Sequence, residues 1–272
     1  NTNSQTVPTT ANITLKSKDD FEDIVNWTEL GWRDDTTIGT KEFDYGVQKA
    51  VGFGTTNFYS SYSRTLTVVY DGNGATGGET ANTTKVIYLN ANSTVTSNQE
   101  ITAKQNGYVR IGYTAQEPVW NTKADGTGTN ISAGGNYNPE ITYNAENFNS
   151  TLYARWDANI YKVTLDNQEA TTPGTTAYWY KYKTTANISG ETVYYYLDEG
   201  LTNPLTNYKI TIPTKTGYTF NGYYTETNGN GTQYVSQNGT CINNLYSVVA
   251  NDITLTNRSE ERRVGKECRS RW

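Results

Sequence analysis

The chain has 272 residues, a net charge of −5, and only 35% apolar and 18% charged residues, so uncharged Asn, Thr, Ser, Gly and Tyr fill it. Histidine is absent, which removes the commonest general base and zinc ligand, and the two cysteines, Cys241 and Cys268, make neither a disulfide framework nor a Cys-rich metal site. No apolar run approaches the roughly 20 residues of a membrane helix, yet 23 Tyr, 6 Trp and 6 Phe supply cores for a folded, mainly β, secreted chain.

Taken from the N-terminus, residues 1–64 read as a partial unit. Gly31-Trp32-Arg33-Asp34-Asp35 is its aromatic hairpin, and Phe58-Tyr59-Ser60-Ser61-Tyr62 is its closing strand. Residues 65–157 form a complete unit. Leu66, Val68 and Tyr70 alternate with Thr67 and Val69, as a half-buried strand requires, before the Gly-rich turn Asp71-Gly72-Asn73-Gly74. An aromatic hairpin begins at Gly112, and Thr151–Trp156 (TLYARW) closes the unit. Residues 158–257 repeat the plan, with Tyr161, Val163 and Leu165 on one strand face and a second aromatic hairpin from Gly217. Residues 169–209 are a Tyr-rich insertion, read as an extra hairpin. Trp120 precedes Tyr153 by 33 positions and Tyr223 precedes Thr256 by the same 33, so Thr254-Leu255 matches Thr151-Leu152. The aromatic closing strand expected next is missing, which makes the third unit C-terminally truncated.

Arg258–Trp272 (RSEERRVGKECRSRW) is abruptly basic after a Thr/Asn/Tyr-rich body. It resembles the translation of a short-read sequencing adapter, and the expectation is a non-native tail that does not complete the third sheet. Without it the body carries 16 basic and 24 acidic residues, a net of −8. Such an acidic body argues against nucleic acid and against anionic membrane surfaces as partners. A secreted chain needs a signal peptide and a surface protein an anchor. Neither is seen, so both are expected to be missing from this piece.

The ordered recurrence of GYTFNGYYT, of GTGT or NGTQY, and of LYARW resembles the Listeria–Bacteroides repeat, the family of the internalin B-repeat. The resemblance covers residues 65–157 and 161–257 well and residues 11–64 loosely. It implies tandem small β-grasp-like units, no cofactor, and a stalk or adhesion role at the bacterial cell surface and cell wall. The partners it implies are a host surface protein or glycan and the neighbouring repeats.

The residue chemistry is compatible with that reading. Trp32, Tyr59, Trp120, Tyr153, Trp156, Tyr218, Phe220 and Tyr223 are expected to form the structural aromatic core, with Trp120 and Trp156 packed on each other and on the first strand. Removing Trp156 is then expected to cost roughly 3–5 kcal/mol. Trp179, in a strand with aromatics on both faces (AYWYKYK), is the candidate ligand platform. It carries the alternative reading, a carbohydrate-binding module accessory to a catalytic domain. Asp71-Gly72-Asn73-Gly74 begins like a calcium loop, but Asn82 stands where the bidentate Glu belongs, and Asp-Gly and Asn-Gly are hairpin-turn chemistry. Asp125-Gly126 and Asn230-Gly231 read as turns for the same reason. Asp34 and Asp35 lack an opposing carboxylate for glycoside hydrolysis. The Asn-x-Ser/Thr triplets at Asn12, Asn26, Asn92, Asn149 and Asn187 read as chance in so Asn/Thr-rich a chain. No catalytic, cofactor or metal residue is expected, and the chain reads as a non-enzyme.

Overall fold

The computed structural model describes residues 11–20, 22–93, 96 and 98–261, together with the backbone of 2–7. The protein is mainly β, and among the described residues α-helix is confined to one turn at Leu245–Val248. Two compact units form. The first comprises Asn1–Val109 and Ala115–Arg155, and the second Arg110–Thr114 with the chain from Trp156 onward.

In the first unit the strands are β1 (Thr2–Val7), β2 (Ala11–Thr14), β3 (Thr28–Arg33), β4 (Gln48–Val51), β5 (Gly54–Asp71), β6 (Gly77–Gly78), β7 (Thr83–Asn90), β8 (Ile101–Thr102) and β9 (Tyr108–Val109). They are followed by β10 (Tyr113–Asn121), β11 (Asn130–Ile131), β12 (Asn136–Tyr137) and β13 (Asn149–Ala158). β5 organises the main sheet. Its first part pairs with β1 and β3, and its later part lies between antiparallel β7 and parallel β13, beyond which come β10 and β11. Along β5 Phe58, Ser60 and Tyr62 and then Leu66, Val68 and Tyr70 are buried on one face, and Ser61 is the one residue buried on the other.

The second unit holds β14 (Ile160–Asp166), β15 (Ala177–Lys181), β16 (Ala186–Ile188), β17 (Glu191–Val193), β18 (Tyr218–Tyr224), β19 (Gln233–Val235) and β20 (Ile253–Glu261). Its sheet has the order β15-β14-β20-β18-β19, with β14 and β20 parallel at the centre. The corresponding order in the first unit is β7-β5-β13-β10-β11, again with the central pair parallel. Registers agree as well: Leu152 faces Tyr70 across one central pair, and Leu255 faces Leu165 across the other.

Smaller details recur with the strands. The Trp120 indole N–H donates to the Lys104 carbonyl at 2.7 Å, and the Trp32 indole N–H donates to the Lys16 carbonyl at 3.0 Å, with the same separation of 16 residues. Trp32, Trp120 and Tyr223 are fully buried, and each pairs across a tight hairpin, with Phe43, Ile131 and Val235 respectively. In the hairpin after Trp120, Thr122 N–H donates to the Thr129 carbonyl at 3.0 Å, and the Thr129 N–H returns to the Thr122 hydroxyl at 2.9 Å. Thr225 and Thr232 make the same two bonds at 3.0 and 2.9 Å. A threonine hydroxyl satisfying the backbone N–H that the turn strands explains why this residue type returns at that place.

Three expectations are corrected. No boundary separates residues 64 and 65: β5 crosses that point unbroken, because the closing strand of one aromatic hairpin becomes the opening strand of the next motif. The Tyr-rich stretch 169–209 does contain a hairpin, β16–β17, but β15 within it is an integral sheet strand in the place that β7 holds in the first unit. The basic tail does join the sheet at its start. β20 continues through Glu261, with Ser259, Glu260 and Glu261 opposite Phe220, Thr219 and Tyr218. Backbone pairing needs only donors and acceptors, so Arg258–Glu261 extend the strand without an apolar pattern. Residues 262–272 lie outside the described residues.

Candidate functional site

The aromatic residues separate into buried anchors and half-exposed rings. Trp120 packs on Tyr70 at 4.8 Å between ring centroids, and Trp32 meets Tyr45 edge-on at 5.8 Å. Tyr223 lies in the second core with Val163, Leu165, Tyr178, Tyr180 and Leu255. Phe220 packs against that core from its margin, 5.3 Å from Tyr223.

Tyr59, Tyr153 and Trp156 are only half-buried, and Tyr218 is 38% exposed. These four are not the core residues expected. Opposite Tyr59 and Tyr153 it is the other pleat face that is covered, by Phe58 in β5 and by Leu152 and Ala154 in β13. Trp156 shares the Leu152 face by alternation but stands where the strand leaves the first unit. The expected Trp120–Trp156 stack is replaced by Tyr70 on Trp120. Phe58 and Tyr62, named within the closing strand but not as its core rings, are the ones that become buried there.

Trp179 lies on β15, whose neighbours Tyr178 and Tyr180 are fully buried. Its own ring is half-buried on the other face, with the Lys162 ammonium 5.5 Å from the ring centroid and Lys162 directly across the strand pair. Backbone bonds of 2.8 Å in both directions to Tyr196 cover the outer edge of β15. The strand is therefore neither fully sandwiched nor laid open. A cation already occupies one face of the ring a sugar would stack on.

The Asp/Asn-Gly segments are hydrogen-bonded turns. Asn73 and Gly74 have positive φ (47° and 83°), the Asp71 carboxylate accepts from Asn73 N–H at 2.7 Å, and the Asn73 amide donates to the Ala124 and Ala154 carbonyls. Asp125 accepts from both the N–H and the hydroxyl of Thr127, which holds its carboxyl below the usual carboxylate range. Among the described residues no cluster of three or more His, Cys, Asp or Glu side chains could hold a metal. Asp34 and Asp35 are tied by cations, Asp35 to Arg33 at 3.2 Å and Asp34 to Lys49 at 3.6 Å, and do not face one another across a cleft. Cys241 packs at the margin of the second core beside Tyr178, where burial pushes its thiol up to about 12 and makes it a poor nucleophile.

A groove of about 440 Å³ opens beside β18 and β20, lined by Ile212, Lys215, Tyr218, Phe220, Asn257 and Ser259 among others. Its origin is visible in the recurring frame. Tyr62, Trp156 and Ser259 occupy equivalent positions, each two strand periods beyond the buried Phe58, Leu152 or Leu255. The third position carries a hydroxymethyl in place of an aromatic ring, and the groove is the space left over. Ser259→Trp is expected to stabilise the second unit by about 1–2 kcal/mol through cavity filling. A rise in the urea midpoint at unchanged m-value is the check, and an unchanged or lower midpoint would show that the ring cannot enter.

Sequence reasoning did not single out Glu29. Both of its carboxylate oxygens are shut off from solvent and lack a hydrogen bond of normal geometry, and the Tyr45 hydroxyl is in the same condition. Burial raises the Glu29 carboxyl above its ordinary 4.5. The folded state therefore binds this proton more tightly than the unfolded chain, and stability falls as pH rises from about 4.5 through the raised value. Glu29→Gln is expected to raise Tm at pH 7, with the gain shrinking to nothing near about pH 4. Melts across that range test it, and a gain that persists at the acid end would assign the effect to shape, not charge.

Compared with protein-family models, with curated proteins and with solved structures, the chain matches none.

Proposed function

We propose that the chain is a non-enzymatic repeat region of an extracellular bacterial cell-surface protein, a stalk or adhesion module of the Listeria–Bacteroides repeat type built from small β-grasp-like units. The observation that carries this reading is the recurrence, within one chain, of the same sheet order around a parallel central pair. A sheet whose first and last long strands run parallel at its centre is the arrangement expected of a β-grasp. Repeating one small supersecondary unit is a way to gain length, and the recurring motif is fused through β5 without a linker.

The parallel pairing also suits a stalk. Tension along the chain loads the bonds between β5 and β13, and between β14 and β20, in shear, so that they must yield together. Single-molecule pulling through the termini is expected to give discrete unfolding events followed by refolding on relaxation. Smooth extension at low force, without discrete events, would remove the stalk reading.

The adhesive side of the proposal expects binding to host surface proteins or glycans that does not depend on Trp179. A glycan array probed with the intact chain and with Trp179→Ala separates the alternatives. Glycan binding abolished by that substitution would favour the carbohydrate-binding module.

A further inference from the structure

One recurring slot in the frame is filled differently from the others. In the seven-stranded sheet of the first unit and the five-stranded sheet of the second, the closing strand takes a parallel opening strand along its edge: Asn149–Tyr153 of β13 beside Thr67–Asp71, and Ile253–Thr256 of β20 beside Val163–Asp166. The opening strands bring large buried side chains, Leu66, Val68 and Tyr70 in one and Val163 and Leu165 in the other. The N-terminal motif has the same anchor, Trp32, and the same kind of closing strand, the first part of β5. Its strand edge at Gly54–Tyr59 is taken by β1, and β1 runs antiparallel.

Register makes the mismatch specific. Phe58, Leu152 and Leu255 are the equivalent buried positions of the three closing strands. Across from Leu152 stands Tyr70 and across from Leu255 stands Leu165, whereas Asn3 stands across from Phe58. The β1 sequence, TNSQTV, holds one apolar residue, Val7, and that residue is paired at the far end with Gly54. Burying apolar side chains is favourable, so a strand of the opening type has a driving force that β1 lacks. The anchor responds to the difference. Trp120 has the opening-strand ring of Tyr70 against it, while Trp32 meets Tyr45, a ring outside any opening strand.

We propose that the β5 edge at Gly54–Tyr59 is a strand-acceptor site whose preferred occupant is the opening strand of another repeat of this kind. That occupant is an extended segment alternating Thr with Val, Leu or Tyr, bound parallel to β5, and β1 is a weaker occupant that it displaces. This is strand addition to a sheet edge, in which backbone bonds give affinity and alternate side-chain sites give selectivity. It joins one repeat to another through the same parallel pairing that the main sheet of each unit uses internally. It rests on the registers above and is independent of any adhesive role.

The test uses the intact chain and a synthetic peptide with the sequence of Arg64–Asp71. The peptide is expected to bind at one equivalent. Deleting residues 1–10 should tighten binding at least about tenfold by removing the competing strand. Gln5→Pro, which breaks β1 in its middle, should act in the same direction without shortening the chain. Replacing the peptide tyrosine that corresponds to Tyr70 by Asn should weaken binding by about tenfold. Orientation is read from a nitroxide at either peptide end. A C-terminal label is expected to broaden the Tyr59 amide signal more than that of Thr55, and an N-terminal label the reverse. Absence of binding to every form of the chain, affinity indifferent to loss of β1, or the opposite broadening pattern would each overturn the proposal.

Discussion

Trp120→Ala is expected to lower the unfolding free energy of the first unit by roughly 3–5 kcal/mol, the range for emptying a core aromatic site. The ring is fully buried, rests on Tyr70 at 4.8 Å, and donates its indole N–H to the Lys104 carbonyl at 2.7 Å. Truncation removes the buried area, leaves a cavity between β5 and β10, and strips the Lys104 carbonyl of its part-buried donor. Trp120→Phe separates these contributions, because it keeps most of the ring and loses the N–H, and should cost about 1–2 kcal/mol. Trp156→Ala is the control. A half-buried ring outside the core should cost less than about 2 kcal/mol, below the 3–5 kcal/mol that its place in the sequence suggests. Domains of this size are stable by only about 5–15 kcal/mol, so the Trp120 variant should lose much of its margin while the Trp156 variant stays folded. Urea unfolding followed by far-UV circular dichroism reads all three. A larger loss at Trp156 than at Trp120 would reverse the assignment of core and surface.

The second large effect is expected at a glycine. Gly222 precedes the anchor Tyr223 in β18, at a break in register with β20, and has φ of +114°. A Cβ added there would collide with the Val235 carbonyl oxygen, an atom of the strand that faces the anchor. Gly31 repeats the arrangement before Trp32, with φ of +148° and the Phe43 carbonyl oxygen in the way. Gly222→Ala combines a strained backbone with an overpacked contact that only movement of β19 relieves, and should cost roughly 2–4 kcal/mol. Val119 holds the equivalent position before Trp120 and is 4% exposed, so that strand carries a side chain where the other two approach a backbone. Thermal melts of Gly222→Ala and Gly31→Ala are the measurement. A Tm change of less than about 2 °C in both would mean that the close approach is not part of the folded state.

Much of the organisation was legible in residue order, for a local reason. Alternation along Leu66–Tyr70 and along Tyr161–Leu165 marks strands because side chains two apart share a face. Asp-Gly and Asn-Gly mark turns because their backbones tolerate positive φ. The anchors Trp32, Trp120 and Tyr223 were recognisable because each precedes a turn, two of them directly after a glycine, and all three are fully buried. These are relations among near neighbours, which the chain carries with it.

What only the tertiary structure decided is which faces another layer covers and which backbones find partners. Tyr59 and Tyr153 satisfy the same local pattern as the anchors, yet the covered pleat belongs to Phe58, Leu152 and Ala154. Trp156 shares that pleat but stands where the strand leaves the first unit, and Tyr218 is 38% exposed at the start of its strand. Alternation assigns residues to two faces but is symmetric between them until a core forms. Trp179 was undecidable for the same reason, and its partial cover comes from Lys162 and from a backbone bridge to Tyr196. The continuity of β5 through residue 64 and the pairing of Arg258–Glu261 in β20 were hidden because a ladder is built from backbone N–H and C=O groups, identical in every non-proline residue. Side-chain pattern is silent about bonds that side chains do not make. Sequence determined the motifs and their recurrence; the sheets determined where each motif begins, which of its rings is core, and which strand fills the edge beside Phe58.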